Sequence, residues 1–163
     1  MTLMKKACIT TLLLLVGICV LLNLWDIYAS RPSALYEQWL GGPVPTDVTQ
    51  LDGRSQFALT ESTQWLSFHT TQSRIDTIRS QLGMSPVVAL KGWSGPNVVQ
   101  EVQIDGRTYH NSWFGDGMHP FTAHLTDLQV YWKAHGSGDP LSRGYALYYS
   151  PSLGLAHYIL ISI

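Results

Sequence analysis

The segment HNSWFGDGMHP, residues 110–120, is the densest group of chemically competent side chains in the sequence. His110, Asp116 and His119 can ligate a metal or act as an acid–base pair, and the glycines beside them would let the backbone bring them together. Zinc, however, needs three or four ligands in a directed geometry, and the nine-residue gap between the histidines matches neither a helix face nor a familiar finger. We therefore favour a structural loop over a metal or acid–base site.

A second pattern, Gly92-Trp93-Ser94-Gly95-Pro96, would be the starting point for a serine hydrolase. A nucleophile elbow needs a small residue two positions after the serine, because the chain must turn sharply there from strand to helix. Pro96 occupies that position, so the pattern is incomplete. A turn accounts for the same glycines and proline, so the pattern does not require a catalytic serine.

Aromatic side chains are the more useful functional signal, since there are more of them than a small core needs to bury. Tyrosine and tryptophan are favoured where a surface must be apolar and yet form hydrogen bonds at its edge. This composition predicts a binding surface and no cofactor. The candidate binding residues are Trp93, Trp113, Phe114 and Trp132.

The strongest single signal is an uncharged run from Ala7 to Trp25 that follows two lysines. Its 19 residues would span roughly 28 Å as a helix, close to the thickness of a bilayer core. Lysines before the run and Asp26 after it predict a cytoplasmic N-terminus. The sequence thus predicts a single-pass signal-anchor held in the lipid bilayer, with the C-terminal domain extracytoplasmic, which in a Gram-negative cell is the periplasm.

Two alternatives place the domain in the same compartment. A cleaved signal peptide needs small residues at positions −3 and −1 of the cut, but cleavage after Ala29 would put Ile27 at −3. A lipoprotein signal would end at Cys19, where the bulky Ile18 precedes the cysteine.

Charge and cysteine content narrow the class of protein. Beyond residue 30 there are eight Lys and Arg against ten Asp and Glu, a net charge of −2. That balance argues against binding a nucleic-acid backbone, which depends on clustered positive charge. Cys8 and Cys19 are the only cysteines, so the domain beyond the apolar run has no disulfide and must be stabilised by packing.

The local patterns predict a mixed fold. The segment STQWLSFHT alternates between two sides as a half-buried strand does, and Ile75, Ile78 and Leu82 then recur at helical spacing before Gly83. Asp105-Gly106 indicates a tight hairpin turn, and Gly53 is expected to end a short strand that begins at Val48. The last residues predict a second hairpin around Pro151.

Together these patterns predict an α+β fold, a small mostly antiparallel sheet with one packed helix, preceded by a single N-terminal transmembrane helix. Residues 1–6 would be the cytoplasmic N-terminus, 7–25 the transmembrane signal-anchor, 26–45 a stem and linker, and 46–163 the extracytoplasmic domain. The expected function is non-catalytic binding, for example of an envelope protein partner. The alternative is a small envelope hydrolase or metal-dependent enzyme that uses the loop at 110–124.

Overall fold

The computed structural model describes residues 13–21, 31–57, 62–95, 98–111, 118–135 and 143–162. The helices are α1 (13–21), α2 (Pro32–Leu40) and α3 (Gln72–Leu82). The strands are β1 (Thr49–Phe57), β2 (Ser62–His69), β3 (Ser85–Ala89), β4 (Gln100–Ile104), β5 (Arg107–Asn111), β6 (Gln129–Ala134), β7 (Arg143–Ser150) and β8 (Leu155–Ser162). Two 3-10 turns, at 118–121 and Leu125–Asp127, precede β6.

All eight strands form one sheet in the order β1-β2-β8-β7-β6-β3-β4-β5. Every neighbouring pair is antiparallel, which confirms the predicted sheet type. The connection from β2 to β3 passes through α3 and crosses three strand positions of the sheet. This crossing places a helix over the middle of one face.

One face of the sheet, which we call the helix-covered face, packs against both α2 and α3. Leu35, Tyr36 and Leu40 of α2 and Ile75 and Ile78 of α3 share one core cluster. The strand residues of that cluster are Leu66, Phe68, Tyr131, Leu147, Tyr149, Ala156 and Tyr158. We expected one packed helix, and the structure has two, because the apolar side chains of α2 are buried in the domain.

Helix α3 begins and ends at the residues that its local sequence indicates. The Thr71 hydroxyl accepts a hydrogen bond from the Arg74 backbone N–H at 3.4 Å, which caps the first turn. Gly83 adopts a left-handed conformation with φ of 62°, and its N–H donates to the carbonyl oxygens of Arg79 and Ser80. The predicted apolar stripe is confirmed at Ile75 and Ile78, both buried, while Leu82 is half-buried.

Strand β1 differs from the prediction, because Gly53 does not end it. The strand continues through Gly53 to Phe57 and pairs with β2 along that length. A Cβ atom on Gly53 would stand 2.7 Å from Leu66 Cδ1, so the missing side chain lets the core leucine approach the backbone. The glycine therefore serves close packing here rather than a turn.

The Asp105-Gly106 turn is confirmed between β4 and β5. Both residues have positive φ, 48° and 77°, which is the requirement of the tight turn that favours this dipeptide.

The other face, which we call the loop-covered face, packs against the segment that precedes β6. Met118 and Phe121 from the first 3-10 turn and Leu128 are buried there. The strand residues of this second cluster are Val87, Val102, Ile104, Val130, Trp132, Ala146, Tyr148 and Ile159. The sheet is thus buried on both sides over its central strands.

Of the predicted membrane segment at residues 7–25, the structure describes residues 13–21, which form α1. Within the described residues no helix is long and apolar enough to cross a membrane. The transmembrane span stays a prediction, since its other residues lie outside the described ranges.

Candidate ligand-binding cleft

An aromatic cleft of about 390 Å³ opens on the helix-covered face, where α2, the end of α3 and the end of β6 meet. Its lining residues are Gln38, Trp39, Leu82, Met84, Lys133, His135, Tyr145 and Tyr158. We call this group the aromatic cleft.

Strand register explains why the tyrosines and the lysine share this cleft. Lys133 on β6 stands directly opposite Tyr145 on β7, and Tyr145 stands opposite Leu160 on β8. Residues in such cross-strand pairs point to the same side of a sheet, as do residues two apart on one strand, which adds Tyr158. Alternation along three neighbouring strands therefore brings Lys133, Tyr145 and Tyr158 to one face.

Four rings form a continuous chain across the cleft. Tyr145 and Tyr158 stack with ring centroids 5.8 Å apart and 16° between their planes. Trp39 lies 6.1 Å from Tyr158 on one side, and His135 meets Tyr145 edge-on at 5.7 Å on the other. These separations lie in the range where aromatic pairs attract each other, so the four rings stabilise one another's positions.

Tyr158 is the most deeply buried polar residue of the cleft, with 2% of its surface exposed. Burial, and to a smaller extent the neighbouring Tyr145, hold the pKa of the Tyr158 hydroxyl well above its usual range. The hydroxyl therefore stays protonated and remains a hydrogen-bond donor. Within the part of the chain that the structure describes, we find no hydrogen-bond acceptor for it, although it lines an open cleft.

The charged residue among the described residues of the cleft is a cation, Lys133. Lys133 is exposed and has no ion-pair partner among the described side chains, and none of the described residues that line the cleft carries a carboxylate. The polar groups on its walls are donors or can act as donors: an ammonium, two phenols, an indole, an imidazole and an amide. Such an arrangement can bind a ligand that is rich in hydrogen-bond acceptors. Among its described lining residues there is no pair of an acidic and a basic side chain that contact each other.

The densest cluster of catalytic residue types lies instead at the turn between β7 and β8. The Ser150 hydroxyl donates to both carboxylate oxygens of Asp127 at 3.1 Å, and the Ser152 N–H donates at 2.8 Å. The Ser152 hydroxyl lies 3.2 Å from His124 Nδ1. Hydrogen bonds from the Ser152 hydroxyl, the Ser152 N–H and Ser150 hold the pKa of Asp127 below its usual range.

This cluster has the composition of a serine–histidine–aspartate triad but not its connectivity. In a triad the carboxylate binds the histidine and fixes its tautomer. Here Asp127 binds both serines, and His124 contacts Ser152 on its far side. The carboxylate therefore fastens the turn at 151–154 to the 3-10 turn before β6, and we call the group the Asp127 clamp.

His157, on β8, also has a hydrogen-bond partner within the fold. The Ser67 hydroxyl and His157 Nδ1 lie 2.6 Å apart on facing strands, and the Trp65 ring packs against the imidazole at 5.7 Å. Burial lowers the pKa of His157 to about 4. A neutral imidazole at this position is part of the core of the loop-covered face.

Of the four aromatic residues that the sequence suggested for binding, two lie within the described ranges, and both support the fold. The Trp93 Nε1–H donates to the Leu128 carbonyl oxygen at 3.1 Å, which attaches its loop to the segment before β6. Trp132 is buried, and a Cβ atom on Gly144 would clash with its ring. Trp113 and Phe114 lie outside the described residues.

Even so, Trp93 and Trp132 each line another cleft, of slightly larger volume than the aromatic cleft. Trp93 lines one of about 460 Å³ with Leu125 and Val130, and Trp132 lines one of about 450 Å³ with Arg107 and Tyr109. A binding role for either residue therefore stays a prediction.

The weaker metal hypothesis at His110, Asp116 and His119 gains no geometric support. His110 is exposed on β5 opposite Glu101, and His119 is exposed in the 3-10 turn at 118–121. Asp116 lies outside the described residues. Among the residues that are described, no group of three or more His, Cys, Asp or Glu side chains could hold a metal ion.

The elbow-like segment also has a structural explanation. Gln100, which is buried, donates from its side chain to the Gly95 carbonyl oxygen at 3.0 Å and accepts from the Ser94 N–H at 3.4 Å. Both bonds go to the backbone of the loop. They hold it against β4 and leave the Ser94 side chain exposed.

Sequence reasoning missed the aromatic cleft. The predicted stem at 26–45 contains Trp39, and no local pattern distinguishes Lys133 from the other charged residues. The alternation of Tyr145, Leu147 and Tyr149 in β7 does indicate one shared face, and this signal was available. It could not show that Trp39 closes the same site.

Comparison with known proteins gives no relative: no family model, no curated protein and no solved structure matches this chain.

Proposed function

We propose that this protein is a membrane-anchored binding module of the cell envelope, whose domain lies outside the cytoplasm and whose ligand site is the aromatic cleft. The observation that carries the binding role is the chain of four rings, Trp39, Tyr158, Tyr145 and His135, which lines an open cleft beside the exposed Lys133. Rings and hydrogen-bond donors gathered in one cleft can bind a ligand that has an apolar body and hydrogen-bond acceptors.

The anchoring role rests on the apolar run at residues 7–25 and is supported by α1. The large aliphatic side chains of α1 are 45% to 67% exposed, in contrast to the buried aliphatic residues of α2 and α3. Apolar surface of this kind is stable against lipid rather than water.

The alternative of a small envelope hydrolase has less support, because Asp127 fastens the serines instead of orienting His124. Replacing Ser152 with Ala tests it directly. A hydrolytic activity that this change abolishes would favour the alternative.

A fragment-binding experiment tests the cleft. The full chain in lipid nanodiscs is titrated with small aromatic fragments, and binding is followed by the NMR signals of the tryptophan indoles. We expect the Trp39 signal, assigned with Trp39→Phe, to shift.

Tyr145→Leu should weaken fragment binding about fivefold, because it removes one ring from the wall of the aromatic cleft. Tyr109→Leu is the matched control, since Tyr109 is also half-buried and lines a different cleft. Shifts confined to Trp93, or no binding at all, would reject the cleft as the ligand site.

A reporter fusion tests the anchor. A reporter that is active only outside the cytoplasm should work when it is fused after Ile163, because Lys5 and Lys6 keep the N-terminus inside. Activity from a cytoplasmic reporter alone at that position would overturn the localisation. A mature protein beginning near residue 30 would keep the location and remove the anchor.

A further inference from the structure

We propose that the ligand of the aromatic cleft is an organic anion, a carboxylate attached to a flat apolar body, held by Lys133 and the Tyr158 hydroxyl. The inference deepens the proposed function and rests on it. Binding of some aromatic ligand would support the function, whereas preference for the carboxylate would support this inference.

The side chains that line the cleft indicate the apolar part of the ligand. Trp39, Tyr145 and Tyr158 present ring surfaces, and Leu82 and Met84 add aliphatic and thioether surface. A flat body can stack on such rings and gain both apolar burial and ring attraction. The cleft volume of about 390 Å³ suits a ligand with one or two fused rings.

The charge of the ligand is indicated by the charged residues at the cleft. Lys133 on one wall lacks an ion-pair partner among the described side chains, and the described residues that line the cleft include no carboxylate that would repel an anion. A ligand cation could be attracted by the ring faces, but Lys133 beside the same cleft would repel it. Charge complementarity therefore favours an anion.

The Tyr158 hydroxyl selects for an acceptor at the buried end of the cleft. The phenol can donate one hydrogen bond to a ligand atom that lies in the cleft. A carboxylate has two oxygens and can take a hydrogen bond from Tyr158 while its charge faces Lys133. Hydrogen bonds of this charged type are about twice as strong as neutral ones.

Three probes of the same shape and different charge test the inference: naphthoate, naphthamide and naphthylmethylammonium. Each is titrated calorimetrically into the full chain in nanodiscs, and titration into empty nanodiscs is subtracted to remove partition into lipid. We expect naphthoate to bind about tenfold more tightly than naphthamide, and the ammonium probe to bind most weakly.

The variants assign that preference to the two residues. Lys133→Met should weaken naphthoate about fivefold and leave naphthamide nearly unchanged. Tyr158→Phe should weaken naphthoate about tenfold, since it removes only the donor. Lys91→Met is the matched control, because Lys91 is exposed and pairs with Glu101 on another part of the sheet.

The outcomes separate this inference from the proposed function. Equal affinity for all three probes, together with a shift of the Trp39 indole signal, would overturn the preference for an anion and leave the binding role standing. Tighter binding of the ammonium probe would overturn it as well. No binding of any probe would overturn both proposals.

Discussion

His157 and Tyr158 are neighbours on β8, and their side chains point to opposite faces of the sheet. His157 shares a hydrogen bond with Ser67 at 2.6 Å on the loop-covered face, whereas the Tyr158 hydroxyl opens into the aromatic cleft with no acceptor among the described residues. Both residues are buried. Two buried polar side chains thus differ in their surroundings: one is hydrogen-bonded inside the fold, and the other lines an open cleft.

The same contrast separates the Asp127 clamp from Lys133. The clamp contains an acid, two serines and a histidine, the residue types that most invite a catalytic interpretation. Its carboxylate and serine hydroxyls are nevertheless hydrogen-bonded within the group. Lys133 looks ordinary by comparison, yet it stands beside an open cleft.

The largest expected effect concerns the core beneath the helix-covered face. Ile78→Ala should lower the free energy of unfolding by about 2–5 kcal/mol, because it leaves a cavity under α3. Arg79→Ala on the next position should cost only about 0.5–1 kcal/mol, since its guanidinium lies 5.3 Å over the Tyr131 ring and is otherwise a surface group. Denaturant unfolding of both variants checks this. Equal losses would contradict the helix orientation on which the cleft depends.

The next effect is the pH dependence that His157 imposes. Its folded pKa of about 4 lies below the unfolded value near 6.5, so protonation favours unfolding. Stability should be complete above about pH 6.5, and should fall by about 3 kcal/mol as the pH drops to about 4. Denaturant unfolding at several pH values measures the slope, and His157→Gln should flatten it. An unchanged slope in that variant would assign the dependence to another group.

A smaller effect should follow the loss of the charged clamp. Asp127→Asn keeps the shape but removes the carboxylate that accepts from Ser150 and Ser152, and should cost about 2 kcal/mol. Because the folded pKa of Asp127 is lowered, its contribution is present above the unfolded pKa near 3.9 and is lost as the pH falls through the folded value. Thermal unfolding at pH 7 and pH 3 should therefore separate the variant from the unmodified protein more widely at pH 7 than at pH 3.

The smallest stability effect is expected at the Tyr158 hydroxyl. Tyr158→Phe should change the free energy of unfolding by less than about 0.5 kcal/mol, because no internal hydrogen bond is lost. Ser67→Ala, which removes the partner of buried His157, should cost about 1–3 kcal/mol. Thermal unfolding of the pair compares the two faces directly. A larger loss at Tyr158 than at Ser67 would mean that the tyrosine hydroxyl has an internal role.

Much of the fold could be predicted because its signals are local. The Thr71 cap, the Ile75 and Ile78 spacing and the Gly83 stop define α3 within one short window, and Asp105-Gly106 defines a turn within two residues. The role of Gly53 could not be predicted, because the same residue permits either a turn or the close approach of a leucine from the neighbouring strand. Which of the two roles Gly53 has depends on Leu66, which faces it from the neighbouring strand.

The sequence by itself therefore determined the elements: the alternation of the strands, the apolar stripe of α3, the uncharged run at 7–25 and the lack of cysteines after it. The tertiary structure decided the site. Trp39, Lys133, Tyr145 and Tyr158 meet because β8, β7 and β6 are neighbours and α2 packs against the sheet. Strand order and helix docking depend on contacts between distant segments, and no local spacing pattern contains that information.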